Sequence, residues 1–159
     1  MSTLHQLCIE HQLTLACAES MSGGAFSASI TRNTDASKYF LGGVVSYSNQ
    51  SKINLLHVPP EIIETYGVYS TECVESMARG IYDLFHSDIS VAISGQAGHH
   101  HNPQNSLLEI YSCIIFHDKI ETFKDKLNGS RIDIINESVD LLHKRCISII
   151  ERGYHGSKK

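Results

Sequence analysis

No stretch of this chain is long and apolar enough to read as a transmembrane span, and no basic stripe of the kind a nucleic-acid binder needs runs through it. Lys and Arg number 13 against 17 Asp and Glu, the net charge is −4, and the basic residues are scattered. The 10 histidines add charge only on acidification, so the exclusion of nucleic acid holds at neutral pH. A disulfide framework is missing as well. The five cysteines (Cys8, Cys17, Cys73, Cys113, Cys146) are odd in number, widely spaced and form no C-x-x-C. That pattern suits reduced, mostly buried thiols in a cytoplasmic protein better than disulfides or a zinc site. The first twenty residues, Met1 to Ser20, lack a basic start followed by a long apolar run, so a signal peptide is not expected. There are only three prolines, and no repeat, low-complexity stretch or linker precedes the last few residues.

What is present is an ordinary globular composition, 42% hydrophobic and 19% charged over 159 residues, enough for one domain with one real core. Thr3 reads as the cap of a short helix to about Gln12. Residues 13–18 form a short apolar run that fits a buried central strand. Phe26 and Ile30 share one face of a helix opened by Gly23 and Gly24. Residues 41–47 read as a second strand, with Asn49 as the N-cap of a helix carrying Lys52, Ile53, Leu55 and Leu56. Pro59 and Pro60 stop that helix, and a short one follows through 61–63. The apolar spacing of Val74, Met77, Ala78, Ile81, Leu84 and Phe85 predicts the longest clean helix, after Ser70. Residues 89–93 read as a buried strand and 107–116 with 119–127 as an antiparallel hairpin. A last helix is predicted over 131–151. The domain is expected to span 1–152, with 153–159 a loose tail. Strands alternating with helices, then a hairpin, imply a three-layer α/β/α domain with a mixed β-sheet.

In such folds ligands collect where strands end and helices begin. Three turns lie at such ends: Gly23-Gly24, the segment after Ser48, and Gly95 to Gly98. They are expected to converge on one pocket, where a serine, a tyrosine and a lysine would meet. A serine hydroxyl is a poor nucleophile until a base takes its proton. Gly-x-Ser-x-Gly is absent and no histidine stands in a triad motif, so Lys52 is the candidate base for Ser20. It must be neutral to serve, which requires burial or a nearby positive charge. Tyr47 is the candidate for relaying or orienting the proton, and the amides of Ser22, Gly23 and Gly24 for holding an oxyanion or an anionic group. Each residue also has a plain reading: Ser20 as a helix cap, Tyr47 as a packing residue, Lys52 as a solvated charge, Glu19 as an acceptor for its own loop. Short-chain dehydrogenases also combine serine, tyrosine and lysine. They need a glycine-rich dinucleotide loop, a Tyr–Lys spacing of four and a longer chain, all lacking here.

Four segments in order carry a resemblance that covers roughly residues 12–150. Glu19-Ser20-x-Ser22-Gly23-Gly24 is similar to the Glu-Ser-Cys-Thr-Gly-Gly segment of the CinA C-terminal-domain family, the PncC-type nicotinamide-nucleotide amidohydrolases. Gly42-Gly43-Val44-Val45-Ser46-Tyr47-Ser48-Asn49, with Lys52, resembles its Gly-Gly-Val-Val-x-Tyr-Ser-Asn-x-x-Lys. Gly67-x-x-Ser70 resembles its Gly-Ala-Val-Ser, and Ser94-Gly95-x-Ala97-Gly98 its Thr/Ser-Gly-x-Ala-Gly. Gly129-Ser130-Arg131 is similar to its Gly-Asp-Arg. The resemblance implies hydrolysis of the carboxamide of nicotinamide mononucleotide to nicotinate mononucleotide and ammonia. It implies Ser20 as nucleophile with Tyr47 and Lys52 as activating partners. It places Glu19, Ser22, Gly23, Gly24, Gly42, Asn49, Ser94, Gly95, Ala97, Gly98 and Arg131 at the substrate, Arg131 toward its phosphate. No metal or organic cofactor is implied. A homodimer or larger homo-oligomer is, with a small-molecule nucleotide as substrate and neither nucleic acid nor membrane as partner.

The chain departs from that pattern in places. His99-His100-His101-Asn102 stands where the family continues Pro-x-Gly-Gly, Ser106-Leu107-Leu108-Glu109-Ile110 where it has Pro-Val-Gly-Thr-Val, and Met21 where a cysteine is common. The altered loop favours an alternative, an inactive or redirected member that binds a nucleotide or a partner on the same scaffold. Adjacent histidines on a loop rarely all face one ion, so a solvated polar loop is expected there rather than a metal site.

Overall fold

The computed structural model describes residues 1–98 and 107–156. Thr3 opens α1 (Leu4–Glu10) through a reciprocal capping box with Gln6. Then follow β1 (Leu15–Glu19), α2 (Ala25–Thr31), a 3-10 turn (Ala36–Lys38), β2 (Phe40–Val45), α3 (Asn49–Leu56), α4 (Pro60–Tyr66), α5 (Thr71–Phe85), β3 (Ile89–Gly95), β4 (Leu108–Phe116), β5 (Lys119–Leu127) and α6 (Arg131–His155). The five strands form one mixed sheet in the order β2-β1-β3-β4-β5. β1 runs parallel to β2 and β3, while β4 is antiparallel to both β3 and β5.

Alternation along β1 assigns the two faces. Leu15 and Cys17 point into a core built with α1, α2 and α6, through Leu4, Phe26, Ile30, Leu142 and Ile149. Ala16 and Ala18 point the other way, against Leu56 of α3 and Val74, Met77 and Ile81 of α5. The period-2 and period-3.6 patterns therefore meet in a three-layer α/β/α sandwich. Small residues on the second face let α5 sit close to the sheet, and Gly80 of α5 lets α3 pack tightly on α5: a Cβ on Gly80 would lie 2.1 Å from the Leu56 carbonyl oxygen. All five cysteines are buried and unpaired. Among the described residues no helix is long and apolar enough to cross a membrane.

Several boundaries differ from expectation by a few residues, and three of them have a visible cause or consequence. Ser48, not Asn49, caps α3: its Oγ accepts from the Ser51 amide, and Asn49 is the first helical residue. The hydroxyl is the shorter side chain and sits one position nearer the strand, where it reaches the orphan amide. α4 begins at Pro60, whose missing N–H costs nothing in the first turn, and continues to Tyr66, where Gly67 at φ +78° ends it. α6 runs to His155, so Gly153, Tyr154 and His155 are helical rather than tail. The cause is tertiary: Tyr154 stacks on His11 with centroids 3.8 Å apart, and Gly153 abuts Phe116, whose ring an added Cβ would approach to 2.6 Å. Residues 157–159, like the His99–Asn102 loop and Ser106, lie outside the described residues.

Candidate active site

The chain leaves β1 for α2 on one face of the sheet and β2 for α3 on the other. The carboxyl ends of these two neighbouring strands are thus a topological switch point, where open α/β sheets form crevices. Ser20 is the first residue beyond β1. Its amide donates to Ile93 O at 3.1 Å, extending the pairing with β3, and its carbonyl accepts from Gly23 N at 3.0 Å, closing a tight turn. Gly24, at φ +100°, then redirects the chain into α2, a conformation that L side chains resist.

Lys52 comes from the second turn of α3. Only 2% of it is exposed, so the solvated-charge reading fails. Its Nζ lies 2.9 Å from Ser46 O, 3.3 Å from Tyr47 O and 3.0 Å from Ser20 Oγ. Burial pushes its pKa down from 10.5, against a smaller opposing influence of the Cys73 thiol. A neutral amine has two hydrogens and one lone pair. As an ammonium, Lys52 donates to all three oxygens; as a neutral amine, with its hydrogens donated to the two carbonyls, it would turn its lone pair to Ser20 Oγ and accept from that hydroxyl. That is the arrangement general-base activation of a serine requires.

A cavity of about 510 Å³ opens over this pair. Its wall includes Ser20, Tyr47, Asn49, Lys52 and Arg131, with Gly95, Ala97 and Gly98 on the β3 side. It is in the size range of small-molecule sites. Arg131, at the start of α6, donates from its guanidinium to the Tyr47 hydroxyl at 2.9 Å. Among the described residues of the wall there is no carboxylate, and the charged groups there, Arg131 and Lys52, are both basic.

Tyr47 stands at the rim of that wall, and the remaining expected residues lie off it. The Tyr47 ring is 61% exposed at the rim and its hydroxyl goes to Arg131, so its link to Lys52 is the main-chain carbonyl, not a phenolic proton relay. Glu19 is 1% exposed and its carboxylate is turned inward. It accepts from Ser22 Oγ, the Phe26 amide, and both the amide and Oγ of Ser27. Ser22 is buried with it. The Phe26 and Ser27 amides at the start of α2 are therefore capped from within, and of the three amides expected to hold an oxyanion, that of Gly23 donates to Ser20 O. Gly42 pairs with Ala16 inside the sheet, where a Cβ would come within 2.9 Å of Phe85. Ser94 is fully buried and ties Val68 O in place. Met21, Val68, Tyr69 and Gln96 line the cavity without having been singled out. Met21 and Gln96 sit at the variable positions of the Ser20 and Ser94 motifs, and Val68 and Tyr69 between Gly67 and Ser70, which was the only signal available.

A second cleft, about 250 Å³, lies at the opposite end of the sheet among Phe116, Lys119, Arg152 and Tyr154. It brings together no nucleophile and base. Among the described residues no group of His, Cys, Asp and Glu is placed to hold a metal.

Comparison with known proteins gives the family and agrees with the fold. The chain is 36% identical over 144 residues to the Protein MG115 homolog of Mycoplasma pneumoniae, covering 90% of this chain and 89% of that one. It is 35% identical over 152 residues to a CinA-like protein of Endomicrobium trichonymphae, which covers 92% of this chain but only 36% of the longer relative. Among solved structures, a CinA superfamily protein from Klebsiella pneumoniae superposes with a TM-score of 0.80 at 27% identity, covering 94% and 92% of the two chains. A competence or damage-inducible protein from Enterobacter asburiae gives 0.82 at 25%, covering 95% and 98%. The family model of the CinA C-terminal domain matches residues 1–145, and the chain belongs to that family.

Proposed function

We propose that this protein is an amidohydrolase that cleaves the carboxamide of nicotinamide mononucleotide, yielding nicotinate mononucleotide and ammonia. The observation that carries the reading is the buried Lys52 amine, 3.0 Å from Ser20 Oγ and tied to two carbonyls. Ser20 Oγ attacks the amide carbon as its proton passes to Lys52 Nζ. Lys52 returns that proton to the departing nitrogen, the C–N bond breaks, and ammonia leaves. Water then adds to the acyl carbon, giving a proton to Lys52, and the acid is released as Ser20 regains its hydrogen. Tyr47 contributes its carbonyl to Lys52 and its ring to the rim. Arg131 supplies a cation for the phosphate, and no carboxylate that would repel it is among the described residues of the wall.

The test is ammonia release from nicotinamide mononucleotide by purified protein beside Ser20→Ala and Lys52→Met. The expected outcome is turnover by the wild type and a loss of about 10³-fold or more in either variant. Wild-type rates in Ser20→Ala would overturn the nucleophile assignment. Mononucleotide binding by calorimetry without product would instead identify a binding module on this scaffold.

A further inference from the structure

Among the charged side chains of the described residues only two are buried, and both adjoin Ser20. One is Lys52. The other is Glu19, immediately before the nucleophile, whose presence the chemistry above does not use. Its carboxylate is saturated. Oε1 accepts from Ser22 Oγ at 2.7 Å and the Phe26 amide at 2.9 Å; Oε2 accepts from Ser27 Oγ at 2.7 Å and the Ser27 amide at 3.0 Å. Each oxygen thus takes one hydroxyl and one amide. Cys17 Sγ approaches Oε2 at 3.9 Å. None of these donors is a cation, so the charge is compensated by hydrogen bonds and by the amides at the start of α2.

Burying a carboxylate without an ion pair is an expensive way merely to fill space, and apolar packing of similar volume does that better. What a carboxylate does here that an apolar side chain cannot is join two elements. Ser22 belongs to the tight turn that begins at Ser20, whereas Phe26 and Ser27 belong to α2. We propose that Glu19 is a positioning residue for the Ser20 nucleophile: its carboxylate fastens the Ser20–Gly24 turn to α2 and thereby holds Oγ against the Lys52 amine. This rests on the reading of Ser20 as nucleophile. A displacement of about 1 Å in such a pair costs on the order of a hundredfold in rate.

Glu19→Gln keeps the shape but turns one acceptor into an NH₂ that meets two donors, whichever oxygen it replaces. Its effect is read with a fluorophosphonate probe, which Ser20 Oγ attacks at phosphorus with loss of fluoride, alongside ammonia release. The expected result is an unchanged labelling endpoint, a labelling rate slowed about tenfold or more, kcat lowered in parallel and KM within about twofold. The endpoint counts folded sites, so the rate per site separates positioning from loss of folded protein. Labelling of Glu19→Gln at the wild-type rate would refute the proposal. If that variant does not fold, Ser22→Ala removes the one hydroxyl joining the turn to Glu19; slowing of about threefold is expected, and no slowing refutes it equally. Wild-type protein that is labelled at Ser20 yet releases no ammonia would discard the substrate while the labelling rates still decide Glu19. Wild-type protein that is never labelled would discard the nucleophile, and the positioning role with it.

Discussion

At the scale of single residues, the proposed function rests on how one lysine is solvated. Lys52 leaves α3 pointing at strand ends rather than at water, and its amine meets two carbonyls and a hydroxyl instead. Because burial lowers its pKa from 10.5, the neutral form needed for catalysis is populated at lower pH than for a surface lysine. The sign follows directly. As pH falls through the lysine's pKa the base is protonated and kcat/KM falls, so activity rises with pH along a limb lying below the ordinary lysine range. A kcat/KM profile of the wild type should show that limb; an inflection at or above 10.5 would mean that Lys52 is not the base. Ser20 and Lys52 were legible as candidates because a strand-end serine and a nearby lysine are chemically meaningful together. The fate of Tyr47 and Glu19 was not legible. A tyrosine hydroxyl or a carboxylate names a capability, and which partner it meets is set by backbone turns several residues away.

At the scale of elements, strand and helix periods located nearly every segment, and misplacements clustered at ends. Ser48 in place of Asn49 is a one-residue shift among residue types that cap equally well. The extra turn of α6 arises from the His11–Tyr154 stack and the Gly153–Phe116 approach, contacts between segments far apart in sequence. The junction of α3 with α5 is the most sensitive of these approaches. Gly80→Ala would force a methyl group to within 2.1 Å of the Leu56 carbonyl oxygen, which is backbone and cannot rotate away. The expected loss is about 1–3 kcal/mol or more, measurable by urea denaturation. Because α3 carries Lys52, turnover should fall along with stability. A neutral result would show that the two helices separate easily.

At the scale of the whole molecule, the five cysteines report on the integrity of both cores. Cys8, Cys17 and Cys146 lie in the α1–α2–α6 core and Cys73 and Cys113 in the α3–α5 core. Burial pushes the thiols of Cys8, Cys17 and Cys113 up to about 12, and raises those of Cys73 and Cys146 as well. A thiolate is the reactive form, so native protein should leave all five unreacted toward a disulfide reagent over minutes at neutral pH, with all five released in denaturant. Rapid reaction of even one in native protein would mean that the core containing it opens locally. The burial of apolar faces at periods of 2 and 3.6 determined, from the chain alone, the elements, the three-layer sandwich and the placing of three strand-end turns near one sheet end. Those are local or one-dimensional properties, carried by residue order. Only the tertiary structure decided that Lys52 is buried against Ser20, that Tyr47 turns to Arg131, and that Glu19 faces inward to α2 rather than outward to a ligand. Side-chain direction and desolvation depend on which distant segments close around a residue, and that information exists only once the sheet has assembled.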